Sequence, residues 1–502
     1  MAEFDRLAGG AAWNIAGKVV QMGVTLGALV VIARIVGPQA YGVFTLTWIC
    51  VGLIEIFATM APIDTLVQRR DLRPGHLNVT LWFSLVVGLV GWTGLSLGAA
   101  HVAALFDGGP MLVEIMPARA ATLPLGALAV VPIALLMRTA RFRELAAVES
   151  GASVVASMVG LAMAWTGYGI WSLVGMEIAR ALVTIVFSAA IVRWRPGITM
   201  RTSDFTDLLG FNASTWGAWG IDYLDEQLPR AMIARSLGPA AVGLYSLAMR
   251  LQDQIVTLLI RPAYQVVQTG VARSQDDPAA VGRLALGTIQ ASSVLACPLF
   301  LGIGALAPVL VPLLFGNEWA GAVPVLQAMM VLAFRSPVTM IQTAIVRGMG
   351  KAHWQMGVTA IALCFTFALL LVSLPFGIAA VAIAMGLRGF LIFPFYAWLV
   401  RRLTGMSIRE QASAGLGAFF TALLMAVGVW SALSWLLAWM SDVPAMIIAS
   451  AGGAVFYWAV LRIFSPQAAR IVDAVLMALL RRDMAALRAA LRGGGNAPAT
   501  AA

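Results

Sequence analysis

The sequence predicts an all-α polytopic membrane protein: about fourteen transmembrane helices, with two pseudo-symmetric six-helix lobes around a central cavity and two further helices at the C-terminal end. Three observations predict it. Of 502 residues, 61% are hydrophobic and only 11% charged, whereas a water-soluble chain carries about 25% charged residues. The apolar residues come in runs such as 79–100 and 416–439, the length a helix needs to cross a bilayer core, rather than in the alternation of a membrane-barrel strand. A segment of the first half also recurs in the second.

The spans expected in the first half are 12–35, 41–60, 77–100, 117–137, 146–165 and 170–192. The remainder supplies 208–234, 242–260, 284–314, 323–346, 355–374, 378–399, 414–439 and 443–461. The expected organisation is a first lobe over 1–200, a second over 201–405, two additional helices in 406–464, and a tail at 465–502. In that tail, Ile471, Val475, Leu476 and Leu479 with Arg481, Arg482, Arg488 and Arg492 suit either a basic amphipathic helix on the inner membrane surface or a solvated tail.

The net charge of +10 is not a nucleic-acid signal, because the basic residues sit in the breaks between apolar runs. Every second break is basic: Arg69, Arg70 and Arg73; Arg138, Arg141 and Arg143; Arg193, Arg195 and Arg201; Arg261, Arg273 and Arg283; Arg347 and Lys351; Arg401, Arg402 and Arg409. Cytoplasmic loops retain Lys and Arg during insertion, so both termini are expected in the cytoplasm. The start of the chain has early acidic residues and no compact apolar stretch ending in a small-residue cleavage site, which reads as a retained N-terminus.

The repeat is the most informative feature. ARIVGPQAYGVFTL at 33–46 returns as ARSLGPAAVGLYSL at 234–247, an offset of 201 positions. Each copy reads as a helix that ends, a Gly-Pro turn, a second Gly, and an aromatic residue opening the next helix. Under the same offset the face made by Asn14, Lys18, Gln21 and Thr25 falls on Thr215, Trp219, Asp222 and Glu226, which Asn212 and Arg230 extend. Two matching polar faces suit parallel repeats that enclose one cavity.

A charge at the bilayer centre costs ~2.5 to 3.5 kcal/mol on insertion scales. Asp222, Asp225, Glu226 and Arg230 therefore face protein or water rather than lipid. Glu226 and Arg230, four residues apart, suit a neutralised pair that locks helices together as well as they suit a binding role. The next span adds Arg250, Asp253 and Gln254, and other spans add Arg180, Arg335 and Arg388. Arg180 has Glu177 one turn away, and Arg388 can snorkel from near a helix end. The preferred cavity cations are Lys18, Arg230, Arg250 and Arg335. Fixed guanidinium groups suit a phosphate-bearing head group.

The full set of substrate-cavity candidates is Asn14, Lys18, Gln21, Asn212, Asp222, Asp225, Glu226, Arg230, Arg250, Asp253, Arg335 and Arg388. Asp222, Asp225, Glu226 and Glu55 are the ion-coupling candidates, with Glu55 better read as a buried partner for Lys18. No catalytic group is assigned. His76, His101 and His353 stand near loops or span ends without a second ligand at metal spacing, and are expected at the surface or interface. Cys50, Cys297 and Cys364 are isolated in apolar segments and read as small buried hydrophobes. Neither a metal, a cofactor nor a nucleotide-binding loop is expected.

The repeated segments resemble those of Wzx-type polysaccharide flippases of the multidrug/oligosaccharidyl-lipid/polysaccharide exporter superfamily. LLMRTARFRELAAVE at 135–149 is similar to that family's basic loop after the fourth helix, and APVLVPLLFGNEWAGAVPVL at 307–326 to its turn between helices nine and ten. The resemblance implies alternating access and movement of undecaprenyl-pyrophosphate-linked oligosaccharide from the inner to the outer leaflet of a bacterial cytoplasmic membrane. The implied partners are that lipid-linked substrate, membrane lipids, and polysaccharide polymerase or other assembly proteins. Drug and cation exporters of the superfamily usually place an acidic residue in the first helix, where this chain has Lys18 and Gln21. The readings left standing are a surface-polysaccharide flippase, a peptidoglycan-precursor flippase, a small-cation antiporter, and, from another class, a membrane polymerase or glycosyltransferase.

Overall fold

The computed structural model describes residues 2–69, 71–198, 201–464, 469–470 and 473. Side chains of 2–20, 202, 205, 207–215, 218, 352 and 464 are not among those described, so the tail expected at 465–502 lies almost wholly outside the described residues. Among the described residues the secondary structure is helical, with no strand.

In chain order the helices are α1 (Ala2–Glu55), α2 (Ala61–Gln68), α3 (Pro74–Leu97), α4 (Ala99–Phe106), α5 (Gly109–Ala120), α6 (Thr122–Arg138), α7 (Phe142–Trp165), α8 (Trp171–Val192) and α9 (Thr202–Ile255). Then follow α10 (Arg261–Arg273), α11 (Pro278–Phe315), α12 (Ala322–Leu332), α13 (Ser336–Gly348), α14 (Ala352–Ser373), α15 (Ile378–Thr404), α16 (Ile408–Ser413), α17 (Leu416–Leu436) and α18 (Asp442–Phe464). The chain forms two compact units, one of Trp13–Ser246 and the other of the chain from Leu247 onward with the first twelve residues.

Helix ends follow local chemistry. Asp277 caps α11 by accepting a hydrogen bond from the Ala280 amide at 2.9 Å, with Pro278 in the first turn where a missing N–H costs nothing. Ser407 and Glu410 form a reciprocal capping box on α16. Arg138 donates to the carbonyls of Leu66 (3.0 Å), Val67 and Arg69, so a cationic side chain satisfies the orphaned end of α2.

The repeated segments fold alike. α1 is broken at Gly37 (φ 75°, ψ 166°) and α9 at Gly238 (φ 82°, ψ 173°), and in each a proline follows the glycine. Positive φ is open to Gly at little cost, and the proline then starts the next helical stretch. Within the first unit the two turns cross backbone to backbone. A Cβ placed on Gly42 would lie 1.8 Å from the Pro239 carbonyl oxygen, and one on Gly243 would lie 2.1 Å from that of Pro38. The second glycine of each motif is thus required by the other copy. Downstream, a wide π turn interrupts each helix, at Ile56–Met60 and Val256–Ile260, one position out of the repeat offset.

Packing within each unit is apolar. In the first, Leu66, Leu81, Val131 and Ala134 join α2, α3 and α6. In the second, Val294, Cys297 and Leu301 of α11 meet Ala418, Ala422, Met425 and Val429 of α17, together with Ala445 and Tyr457 of α18. Small residues let these backbones approach closely where lipid offers no hydrophobic driving force. Trp319 in the turn after α11 is fully buried, 6.1 Å from the Phe315 ring. Large apolar side chains also stand outside, such as Leu97 at 80% exposure and Val90 at 67%, a surface suited to acyl chains.

Among the described residues eleven segments are long and apolar enough to cross a membrane, beside the fourteen expected. Two reasons account for the difference. Gln21–Gln68 is one segment although Gly37 breaks it. Thr202–Ile255, which holds most of two expected spans, is not among the eleven, and part of it lies outside the described side chains. Two smaller expectations are corrected. His76 is fully buried rather than interfacial: its Nε2 lies 3.4 Å from Asp204 Oδ1, and its Nδ1 accepts from the Arg73 amide at 3.1 Å. Cys297 is buried and Cys50 half-buried, but Cys364 is exposed.

Candidate functional site

Polarity in the first unit gathers on α9 before its break. Trp219, Asp222, Tyr223, Glu226, Gln227 and Arg230 recur at helical spacing. Arg230 lies 3.5 Å from Glu226 Oε1 and donates to Gln227 Oε1 at 2.8 Å, while Gln227 Nε2 donates to Glu226 at 3.4 Å. The pair expected from the spacing therefore forms, but it is not sealed. The Arg230 side chain is 13% exposed and that of Glu226 is 61% exposed. Arg230 Nε is buried without a hydrogen-bond partner among the described residues. The carboxylate end is open and the cation is held inward.

The stripe is fixed to its neighbours by two long polar side chains. Trp219 Nε1 donates to Asp64 on α2 at 3.0 Å. The Tyr223 hydroxyl donates to the Trp48 carbonyl at 2.7 Å, with that of Ile49 at 3.0 Å. Gly52 makes room, because a Cβ there would lie 2.4 Å from the Tyr223 oxygen. These contacts orient the stripe and leave Glu226 unobstructed.

A second charged group of this unit lies on α1, α5 and α8. Arg119 is 2% exposed, its guanidinium 4.9 Å from the Trp48 ring centroid, and it donates to Thr122 Oγ1. Its Nε has no partner among the described residues. Glu55 lies within electrostatic reach of Arg119 and Glu177. Glu177 in turn pairs with Arg180 at 3.8 Å, as its spacing implies, and Arg180 reaches Ser153 at 3.5 Å. Gln21 accepts from Ser150 at 2.8 Å. Sequence reasoning missed Arg119, which stands at the edge of an expected span beside an outer loop. The tryptophan that shields it is 71 positions away.

Asn14, Lys18 and Asn212 fall among the side chains outside the description, including the suggested Lys18 partner for Glu55. Asp222 and Asp225 are both engaged in interactions. In the second unit, Arg250 is half-buried with no ion pair among the described residues, and Asp253 is exposed and engaged. Arg388 donates to Thr366 Oγ1 at 2.6 Å, which makes it at least partly structural. Arg335 lies between phenylalanine rings. Among the described residues no cluster of His, Cys, Asp or Glu could hold a metal.

With this geometry in view, comparison with known proteins is informative. The model of a family described as polysaccharide biosynthesis protein matches residues 31–324. The chain is 24% identical over 314 residues to the succinoglycan biosynthesis transport protein ExoT of Rhizobium meliloti (strain 1021), covering 62% of this chain and 63% of that protein. It is 23% identical over 347 residues to the lipopolysaccharide biosynthesis protein WzxC of Escherichia coli (strain K12), covering 65% and 67%. The match thus spans a little under two thirds of the first relative's length. Among solved structures, the lipid II flippase MurJ in an inward closed conformation superimposes with a TM-score of 0.75 at 13% identity, over 90% of this chain and 98% of that one. An inward-facing multidrug resistance MATE family transporter of the MOP superfamily gives 0.57 at 14% identity, over 78% and 99%. At these identities the likeness concerns the fold.

Proposed function

This chain belongs to the polysaccharide biosynthesis protein family whose model matches residues 31–324, and from that membership we propose that it is a flippase for lipid-linked oligosaccharide. Its cargo is undecaprenyl-pyrophosphate-linked sugar destined for surface polysaccharide, moved from the inner to the outer leaflet of the bacterial cytoplasmic membrane by alternating access, with both termini in the cytoplasm. The observation that carries this reading is the polarity of α9. Asp222, Asp225, Glu226, Arg230, Arg250 and Asp253 all stand on this one long helix, and charges at such depth face water or a polar cargo.

Arg230 is assigned to the pyrophosphate, because guanidinium donates in parallel to phosphate oxygens and stays charged at any working pH, and Arg250 is a second cation of the same chemistry. Asp222, Asp225 and Glu226 keep that binding reversible and are the candidates for coupling to an ion, with Glu55 beside Arg119 as a further one. Nothing in this cycle breaks a covalent bond. The relatives' names, which refer to succinoglycan transport and lipopolysaccharide biosynthesis, favour a surface glycan over a drug as cargo. Polymerase and other assembly proteins are the expected neighbours.

The deciding experiment depletes the protein and follows lipid-linked oligosaccharide, its sidedness read with an external glycan-modifying enzyme. Inward accumulation with loss of surface polysaccharide is expected. Unchanged carrier lipid and normal surface glycan would overturn the reading and bring the cation antiporter forward.

A further inference from the structure

Arg335 closes a short 3-10 turn, Ala333–Arg335, that separates α12 from α13. It stands thirteen residues from each end of the membrane segment Ala322–Gly348. At a helical rise of ~1.5 Å per residue it is about 20 Å from either end, near the middle of a bilayer core ~30 Å thick. Its guanidinium carbon lies 4.5 Å from the Phe390 ring centroid and 4.2 Å from that of Phe393, two residues one turn apart on α15. Phe334 extends the aromatic wall, 5.9 Å from Phe390 and 4.1 Å from Phe419 of α17.

The rings account for the cation and not for its donors. Nε and Nη2 are both buried, and neither has a hydrogen-bond partner among the described residues. No carboxylate there pairs with Arg335, whereas Arg180 and Arg230 each have a glutamate within 3.8 Å. Cation–π contact lies over the guanidinium faces and leaves the in-plane N–H groups unused. Donors in that plane match two oxygens of one anionic group.

We infer that Arg335, bracketed by Phe390 and Phe393, is a binding station within the second unit for the phosphate head of a polyprenyl-type amphiphile. Two observations favour an amphiphile over a free anion. The depth would strip a free anion of its whole hydration shell. Beside the site, α15 also presents Leu387, Leu391 and Phe395 as exposed apolar side chains, a track on which a hydrocarbon chain can lie. The inference rests on the flippase reading only in taking the cargo head to be a phosphate ester.

The test uses the purified full chain in nanodiscs and measures binding of undecaprenyl pyrophosphate, undecaprenol and inorganic pyrophosphate by native mass spectrometry. Arg335→Met is expected to weaken undecaprenyl pyrophosphate binding at least about tenfold, the scale of one lost charged hydrogen bond. Undecaprenol binding should stay unchanged, and millimolar inorganic pyrophosphate should not compete. Arg335→Lys, which keeps the charge and loses the planar donors, should fall between and serves as the readout should the methionine variant fail to fold. Equal lipid binding by wild type and variant would overturn the station. So would competition by inorganic pyrophosphate that depends on Arg335, since it would mark a free-anion site. If Arg230→Gln abolishes lipid binding while Arg335→Met leaves it intact, this inference fails and the cargo reading stands. If the wild type does not bind the lipid pyrophosphate, both fail.

Discussion

The first stretch of α1 and the first stretch of α9 are two copies of one backbone with different chemistry. Both break at a positive-φ glycine, both place a second glycine at the crossing of the two turns, and both precede a π turn. Beyond the shared polar face, in which Gln21 answers Asp222 and Thr25 answers Glu226, several polar positions of α9 have apolar counterparts. Across the offset, Val24 stands where α9 has Asp225, Met22 where it has Tyr223, and Leu29 where it has Arg230. The repeat therefore maintains a scaffold at the glycines. Further charge is then added to one copy, where side chains do not determine the crossing.

The contrast can be broken most severely at the crossing. Gly42→Ala or Gly243→Ala forces a Cβ into a backbone carbonyl. Overpacking typically costs about 1–3 kcal/mol, and here no flexible side chain can yield, so folded yield in detergent should collapse. A variant with wild-type yield and melting temperature would refute the crossing.

Copying the first repeat into the second gives the next largest effect, on transport. Arg230→Leu should reduce flipping by about tenfold or more, the worth of one charge-assisted hydrogen bond. Its melting temperature should move little, because the orphaned Glu226 is already 61% exposed. Full flipping by this variant would remove Arg230 from the cargo path.

Tyr223→Met, also copied from the first repeat, should cost about 1 kcal/mol of stability for the lost hydroxyl bond. Gly52→Ala should cost more with Tyr223 present than with Met in its place, and a double-mutant cycle reads the coupling. Additive losses would mean that Gly52 does not serve Tyr223. Smallest is Gly220→Ala, in the same helix but with nothing within 4 Å of its added Cβ. It should be neutral or stabilising by up to about 1 kcal/mol, from helix propensity.

The turns and the stripe were legible because both are local. Gly-Pro spacing and a 3.6-residue period need no knowledge of partners. What stayed hidden depends on residues far apart in the chain. Arg119 draws no reading because Trp48, which covers it, stands in another helix, and His76 reads as interfacial until Asp204 reaches it.

The π turns carry a consequence that is best stated in codons. A π turn holds about one residue more than an α turn, and one residue turns an α-helix by about 100°. Deleting a single codon within 56–60 would therefore restore an uninterrupted α-helix and leave the facing of α2 as it is, because the extra residue of the π turn adds no rotation. Asp64 would still reach Trp219, and the end of α2 the guanidinium of Arg138. An in-frame deletion at the equivalent place in the second half would likewise keep Val267 and Val271 of α10 in their core. The same deletion a turn later, inside α2 or α10, has no such slack and turns the rest of the helix by that angle, so each π turn is a place where the chain can lose a residue and keep the register on which its unit is packed.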